Sequence, residues 1–312
     1  MKKMALFGFV LLASLNLPAQ FTDEPVSLLT KTGELKGTLL IPGGTKKFNL
    51  VILHPGSGPT DRNGNNPFGV KAKSYRLLAE ALANKKIATL LIDKRGIGGS
   101  AAALKSEAEL VFDDYVTDLV DWANLLKKDK RVKKLIIAGH SEGSLIGMLA
   151  SQKLKAVDKY ISLSGVAQSI DQVIVWQLQQ QSSKMASMAD SMFTRMKQGL
   201  KLDSVPPALA MLFRPAMQPY MASWIKHDPC AEIKKLTVPV LLIQGSTDIQ
   251  VREEEGHKLH ACNPAASIAV INEMSHVLKK GPADRTKNMA TYSDEKLPIM
   301  PELVDEIVKF VK

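Results

Sequence analysis

The stretch LIIAGHSEGSLIG (135–147) decides how the rest of the chain is read. An apolar run ends in GHSEG and resumes as SLIG, so a buried strand and a helix would meet within about one residue at Ser141. A turn that sharp strains the serine backbone, lifts its hydroxyl clear of the chain and leaves no room for side chains on either flank. Gly139 and Gly143 meet that demand. The same letters also arise where a strand is followed by an ordinary serine helix cap, so neighbouring segments have to separate the two readings.

Those segments are regular. LVILH (50–54), IATLLID (87–93), KLIIAG (134–139), KYISLSG (159–165), PVLLIQG (239–245) and SIAVIN (267–272) are short, nearly continuous apolar runs, as expected of strands covered on both faces of a parallel sheet. VSLLTKTGELKGTLLI (26–41) reads as two further strands about a turn at Thr32 and Gly33. Helical patterns alternate with them: SYRLLAEALAN (74–84), DYVTDLVDWANLLKK (114–128), SLIGMLASQKL (144–154), REEEGHKLHA (252–261) and PELVDEIVKFVK (301–312). The alternation predicts an α/β architecture, a mostly parallel central sheet with helices on both faces and its site at the carboxyl ends of the strands.

Residues 166–226 break the rhythm. They contain no strand pattern but hold seven of the thirteen methionines, with Trp176, Phe193, Phe213, Tyr220 and Trp224. This predicts a helical lid insertion at 166–226 within a core made of 20–165 and 227–312. Its methionines either mould themselves to acyl groups or simply pack the insertion down.

A serine hydroxyl is a weak nucleophile that needs a base, and the base needs a group to fix its tautomer. In strand–turn–helix sites of this kind the partners follow in the order serine, acid, histidine. GSTDIQV (245–251) places Asp248 after a late strand, and NEMSHVLK (272–279) places His276 after the last one. His54, His140 and His227 do not occupy the base position, and Asp93 reads as a structural carboxylate. Two backbone donors are expected for a developing oxyanion: the N–H of Glu142 and one from the loop HPGSGPTDRNGNNP (54–67), with Ser57 first and Gly56 next. Asp61 and Arg62 read as an ion pair that pins this loop, with contact to an anionic substrate as the other use of Arg62. Such chemistry requires no metal or organic cofactor.

Composition bounds the partners. The chain has 312 residues, 45% hydrophobic and 23% charged, with a formal charge of +10. Its densest basic run, KKDKRVKK (127–134), lies between a helix and a strand and reads as a solvated turn; no nucleic-acid motif accompanies it. The partner expected is a small molecule. The opening MKKMALFGFVLLASLNLPAQ (1–20) has the layout of a signal peptide over 1–19, and its apolar run is short for a membrane span, so an exported chain, periplasmic or extracellular, is expected. Export into an oxidising compartment would permit a disulfide between the only two cysteines, Cys230 and Cys262. The HKLH run (257–260) beside Cys262 reads as a solvated helix face, not a metal site.

Taken together, HPGSGPTDRNGN (54–65), DKRGIGGS (93–100), GHSEG (139–143), GSTDIQV (245–251) and MSHVLK (274–279), in this order, resemble the secreted bacterial α/β-hydrolase esterases related to serine aminopeptidases, over about 26–312. The resemblance implies the α/β-hydrolase fold and carboxylic ester hydrolysis with Ser141, Asp248 and His276 as triad, often on short acyl esters. Two other readings stand beside it. An aminopeptidase or amidase would use the same triad, but it needs acidic side chains for a substrate ammonium, and the insertion offers only Asp171, Asp190 and Asp203. A non-catalytic binding protein on this fold would not need an intact triad.

Overall fold

The computed structural model describes residues 21–312; the leader expected at 1–19 lies outside the described residues. The strands are β1 (Phe21–Leu29), β2 (Glu34–Pro42), β3 (Phe48–His54), β4 (Ile87–Ile92), β5 (Val132–His140), β6 (Lys159–Leu163), β7 (Val240–Gly245) and β8 (Ser267–Ile271). They form one sheet in the order β1-β2-β4-β3-β5-β6-β7-β8. The pairs β1–β2 and β2–β4 are antiparallel and every other neighbouring pair is parallel. β1 starts five residues ahead of the expected alternation, because Phe21 to Pro25 pair with Pro42 to Thr38 along the sheet edge.

The continuous apolar runs have a direct cause. In β3, Leu50 and Ile52 face one core while Val51 and Leu53 face the other; in β5, Leu135 and Ile137 oppose Ile136 and Ala138 in the same way. α1 (Ser74–Asn84) and the final α11 (Pro301–Val311) cover one face through Leu78, Leu82, Leu303 and Ile307. α2 (Phe112–Leu126) and α3 (Glu142–Lys153) cover the other, α2 burying Phe112, Tyr115, Leu119, Trp122 and Leu126 at helical spacing. α3 is buried on all sides from Glu142 to Ser151, which is why its sequence shows no polar face.

Between β6 and β7 the described elements are all helical: α4 (Ile170–Gln179), α5 (Ser183–Lys197), α6 (Ala210–Phe213), α7 (Gln218–Trp224) and α8 (Pro229–Ile233), with single turns of 3-10 helix. Their apolar residues are continuous with the α2 and α3 core. Met196 and Met221 are buried in it and Met185, Met188, Met192 and Met217 pack against it, whereas Met211 is 60% exposed. Packing therefore accounts for most of these methionines. α9 (Glu253–Cys262) joins β7 to β8, and the short α10 (Arg285–Ala290) precedes α11. Cys230 in α8 and Cys262 at the end of α9 form a disulfide, with Cα atoms 5.5 Å apart, so Cys262 is not available to a metal. Among the described residues no helix is long and apolar enough to cross a membrane.

The chain runs from β3 to β4 on one side and then crosses to β5 on the other side of β3, so the direction of winding reverses between β3 and β5. A crevice opens at the carboxyl ends of strands at such a point. His54 closes β3 and His140 closes β5, both buried. Burial pushes each imidazole down to about 3; the charge of Lys94 adds to this at His54 and that of His276 at His140.

Two outcomes follow from these contacts. Replacing both Cys230 and Cys262 by serine removes a cross-link spanning 32 residues, and should lower stability by about 3–4 kcal/mol, read as a fall in Tm of roughly 5–10 °C with the far-UV spectrum retained. The two histidines have folded pKa values below the unfolded value of about 6.5, so as pH falls the unfolded chain binds protons that the folded chain refuses. Their penalty is absent above about pH 6.5 and grows toward about pH 3, with a limiting slope of about 1.4 kcal/mol per pH unit for each ring. His54→Gln should therefore flatten the decline of Tm between about pH 6 and about pH 4; an unchanged slope would clear His54 of that role.

Candidate active site

Ser141 sits between the last residue of β5 and the first of α3 with φ 55° and ψ −119°. A non-glycine residue in such a region costs about 1–3 kcal/mol and persists only where its surroundings impose it. Here the Ser141 N–H donates to the Leu163 carbonyl at the end of β6 (2.8 Å), and its carbonyl accepts from the Ser144 N–H (2.9 Å). The flanking glycines are steric requirements. A Cβ on Gly139 would lie 1.9 Å from the Gly143 carbonyl oxygen, and one on Gly143 would lie 2.5 Å from the carbonyl oxygens of both His54 and Pro55. Behind the turn, Ser144 Oγ bonds Ser162 Oγ (2.7 Å) and Tyr160 Oη (2.9 Å), which fastens α3 to β6.

Asp248 follows β7. Its Oδ1 accepts from the backbone N–H groups of Gln250 (2.8 Å) and Val251 (2.9 Å), and its Oδ2 lies 2.7 Å from His276 Nδ1. Both side chains are nearly inaccessible. A carboxylate anchored through one oxygen leaves the other to fix the imidazole with Nδ1 protonated and Nε2 free as an acceptor. His276 stands in a tight loop after β8, where the Ser275 N–H and Oγ both donate to the Lys279 carbonyl (2.9 Å each).

The β3 loop is laid against this arrangement by hydrogen bonds on both sides of Gly56. A Cβ built on Gly56 would come 3.4 Å from Ser141 Cβ, so the two residues are in contact. The Gly56 N–H donates to Tyr75 Oη (3.0 Å), Tyr75 Oη lies 2.8 Å from His140 Nδ1, and His140 Nε2 lies 2.9 Å from the His276 carbonyl oxygen. A carbonyl only accepts, so Nε2 carries the proton of the neutral His140 ring and Nδ1 accepts from Tyr75. Burial raises the Tyr75 phenol well above its ordinary range, which keeps that proton in place. One directional chain therefore joins the β3 loop, the serine turn and the His276 loop.

On the other side, Lys94 Nζ donates to the Gly56 carbonyl (2.6 Å) and pairs with Glu142 Oε2 at 3.2 Å. Both side chains are almost completely buried, Lys94 at 1% and Glu142 at 2%. Glu142 Oε1 accepts from Tyr220 Oη of α7 (2.6 Å), and Lys94 Nζ stands 5.1 Å from the ring centre of Tyr115. The helical segment after β6 thus reaches the serine turn through Tyr220.

The expected site residues fare differently. Ser141, Gly56, Ser57 and Glu142 lie at the paired ends of β3 and β5, and the bond from His140 carries the His276–Asp248 pair to the same edge. Ser57 is exposed, and its N–H has no intramolecular partner among the described residues. The Glu142 N–H lies in the first turn of α3, where no carbonyl four residues back is available to it. Gly56 is not available as an oxyanion donor, since its N–H is committed to Tyr75.

Arg62 pins the loop as expected, but the partner expected for it is corrected. Its partner is Asp93 rather than Asp61: Nε and Nη2 reach Asp93 Oδ2 at 2.9 and 2.6 Å, its backbone N–H reaches Oδ1 at 2.8 Å, and Nη1 bonds Thr38. Asp61 instead turns onto its own loop, accepting from the N–H groups of Asn63 and Asn65. So occupied, Arg62 anchors the loop, with its donors turned to Asp93 and Thr38. The glycines of DKRGIGGS make room for this pair, because a Cβ on Gly98 would lie 2.6 Å from the Asp93 carboxylate and one on Gly99 2.8 Å from Arg62 Nη2. Lys94, Tyr75 and Tyr220 were not foreseen. A lysine ending an apolar strand run, in IDKRG, was the only local signal among them.

Comparison with known proteins bears on the family and the fold. A family model described as "Serine aminopeptidase, S33" (Hydrolase_4) matches residues 68–229, a span that includes the GHSEG turn and the helical segment and stops before Asp248 and His276. The chain is 26% identical over 301 residues to Esterase EstD of Thermotoga maritima, covering 94% of this chain and 68% of that protein. Its fold is similar to that of Est1E from Butyrivibrio proteoclasticus (TM-score 0.60, 19% identity, 92% of this chain and 98% of that one). An esterase of Pyrococcus furiosus is also similar in fold (TM-score 0.58, 17% identity, 93% and 90%). The family model spans just over half of the sequence, and the chain accordingly belongs to the serine aminopeptidase S33 family of hydrolases.

Proposed function

We propose that the protein hydrolyses small or short-acyl carboxylic esters through an acyl-enzyme on Ser141. The observation that carries this reading is the strained Ser141 turn, set at the same sheet edge as a His276 ring braced by Asp248 at 2.7 Å. His276 Nε2 takes the Ser141 proton as Oγ attacks the ester carbonyl, and Asp248 stabilises the imidazolium. The N–H groups of Ser57 and Glu142 receive the oxyanion. The alcohol leaves with the proton from His276; water then attacks the acyl carbon by the same route, releasing the carboxylic acid and regenerating the serine. The helices between β6 and β7 act as a lid, anchored near the serine by Tyr220. The leader pattern at 1–19 and the Cys230–Cys262 disulfide support export.

The description of the matched family favours a second reading, aminopeptidase or amidase action, and an acylaminoacyl peptidase of Pyrococcus horikoshii shares the fold (TM-score 0.58, 13% identity, 93% of this chain and 41% of that one). A free amino terminus would need a carboxylate in the site. Asp171 is buried and committed to Ser169 and Lys197, while Asp190 and Asp203 are exposed without an acidic neighbour in the segment. The ester reading is therefore preferred.

With p-nitrophenyl butyrate, Ser141→Ala should abolish turnover and Asp248→Asn should lower kcat by about 10³–10⁴-fold, both with unchanged circular dichroism; wild-type rates in Ser141→Ala would refute the assignment. Side by side, kcat/KM for p-nitrophenyl acetate and butyrate should exceed that for aminoacyl p-nitroanilides by at least about 100-fold, equivalent to about 2.7 kcal/mol in the barrier. The reverse order would establish the peptidase reading.

A further inference from the structure

The buried Lys94–Glu142 pair sits one residue from the proposed nucleophile, yet neither side chain has a part in the acyl transfer described above. A buried ion pair contributes little net stability compared with apolar packing, which leaves its location to explain. Lys94 Nζ makes its 2.6 Å bond to the carbonyl of Gly56. In a trans peptide the carbonyl of one residue and the N–H of the next point in opposite directions, and no cis peptide occurs among the described residues. Holding the Gly56 oxygen toward Lys94 therefore directs the Ser57 N–H the opposite way. The same ammonium pairs with Glu142, whose own backbone N–H is the other expected donor.

We infer that Lys94 is a positioning residue for the oxyanion hole: it orients the Gly56–Ser57 peptide and, through Glu142, ties the two backbone donors together at the Ser141 turn. This inference rests on the assignment of Ser141 as nucleophile. Without Lys94 the Gly56 carbonyl loses its charged donor and the peptide is free to rotate about its flanking bonds. Gly56, with no Cβ, offers little steric resistance to that rotation at its own Cα. Tyr75 restrains only the preceding peptide, through the Gly56 N–H. Tyr220 closes the cluster from above by bonding Glu142 Oε1, so the helical segment contributes to the same alignment.

The effect belongs to the transition state, because an ester carbonyl in the ground state carries little charge for these donors to meet. Lys94→Met alone leaves Glu142 buried and unpaired and is expected to unfold at lower temperature. The deciding variant is Lys94→Met combined with Glu142→Gln, which removes both charges and retains an acceptor for Tyr220. With p-nitrophenyl butyrate this double variant should melt closer to wild type than Lys94→Met, show kcat lowered about 10–100-fold with KM within about threefold, and bind a trifluoromethyl ketone weaker by the same factor as kcat falls. Recovery of wild-type kcat together with stability would overturn the inference and leave the pair a purely structural feature. A loss confined to KM, or unaltered ketone affinity, would overturn it too. Ser141→Ala in the same assay keeps the two claims apart: if it turns over the ester, the site assignment fails whatever Lys94 does.

Discussion

The site depends on how closely three backbone segments approach one another at the carboxyl edge of the sheet. β5, the start of α3 and the loop after β3 come so near that side-chain carbons on Gly139 or Gly143 would fall within 1.9–2.5 Å of backbone oxygens. That contact forces the positive φ of Ser141, and it brings Gly56 against the serine side chain. Steric exclusion thus sets the position of the Ser141 hydroxyl before any hydrogen bond is considered. The cost of the strained turn is met by the surrounding sheet, whose strands β3, β5 and β6 are held in parallel register by main-chain bonds on both sides of β5.

Polar groups then fix what steric exclusion leaves free. Asp248 sets the tautomer of His276 through one oxygen while two backbone N–H groups hold the other. The chain from Gly56 through Tyr75 and His140 ends on the carbonyl of His276, so a displacement of either loop is felt by the other. Each of these groups is buried, and a buried polar atom without a partner is expensive, so such a network resists partial disruption. Burial holds the His140 ring neutral, which makes it an acid-sensitive member of this network.

Much of this was legible in the sequence, for reasons that can be named. Strands covered on both faces need apolar residues at every position, so β3 to β7 stood out as continuous runs, and the glycine pair around Ser141 followed from crowding that any such turn suffers. The order of Ser141, Asp248 and His276 is a property of chain connectivity and reads directly from the chain. What was not legible depends on contacts between distant segments. Arg62 has Asp61 beside it in sequence but meets Asp93, because adjacent side chains diverge while β4 brings Asp93 under the loop. Lys94 is one charged residue among many until the fold buries it between Gly56 and Glu142. The first residues of β1, with Pro25 and no alternation, gain their strand only from β2, and α10 is too short for a helical period to show.

In the proposed mechanism Ser141 is the nucleophile and the N–H groups of Ser57 and Glu142 receive the oxyanion. A crystal structure of the protein after reaction with an alkyl fluorophosphonate tests it most directly. Phosphorus bonded to Ser141 Oγ, with the phosphonyl oxygen about 2.7–3.1 Å from both nitrogens, is the expected result. An adduct on another residue, or a phosphonyl oxygen turned away from Ser57 and Glu142, would contradict it.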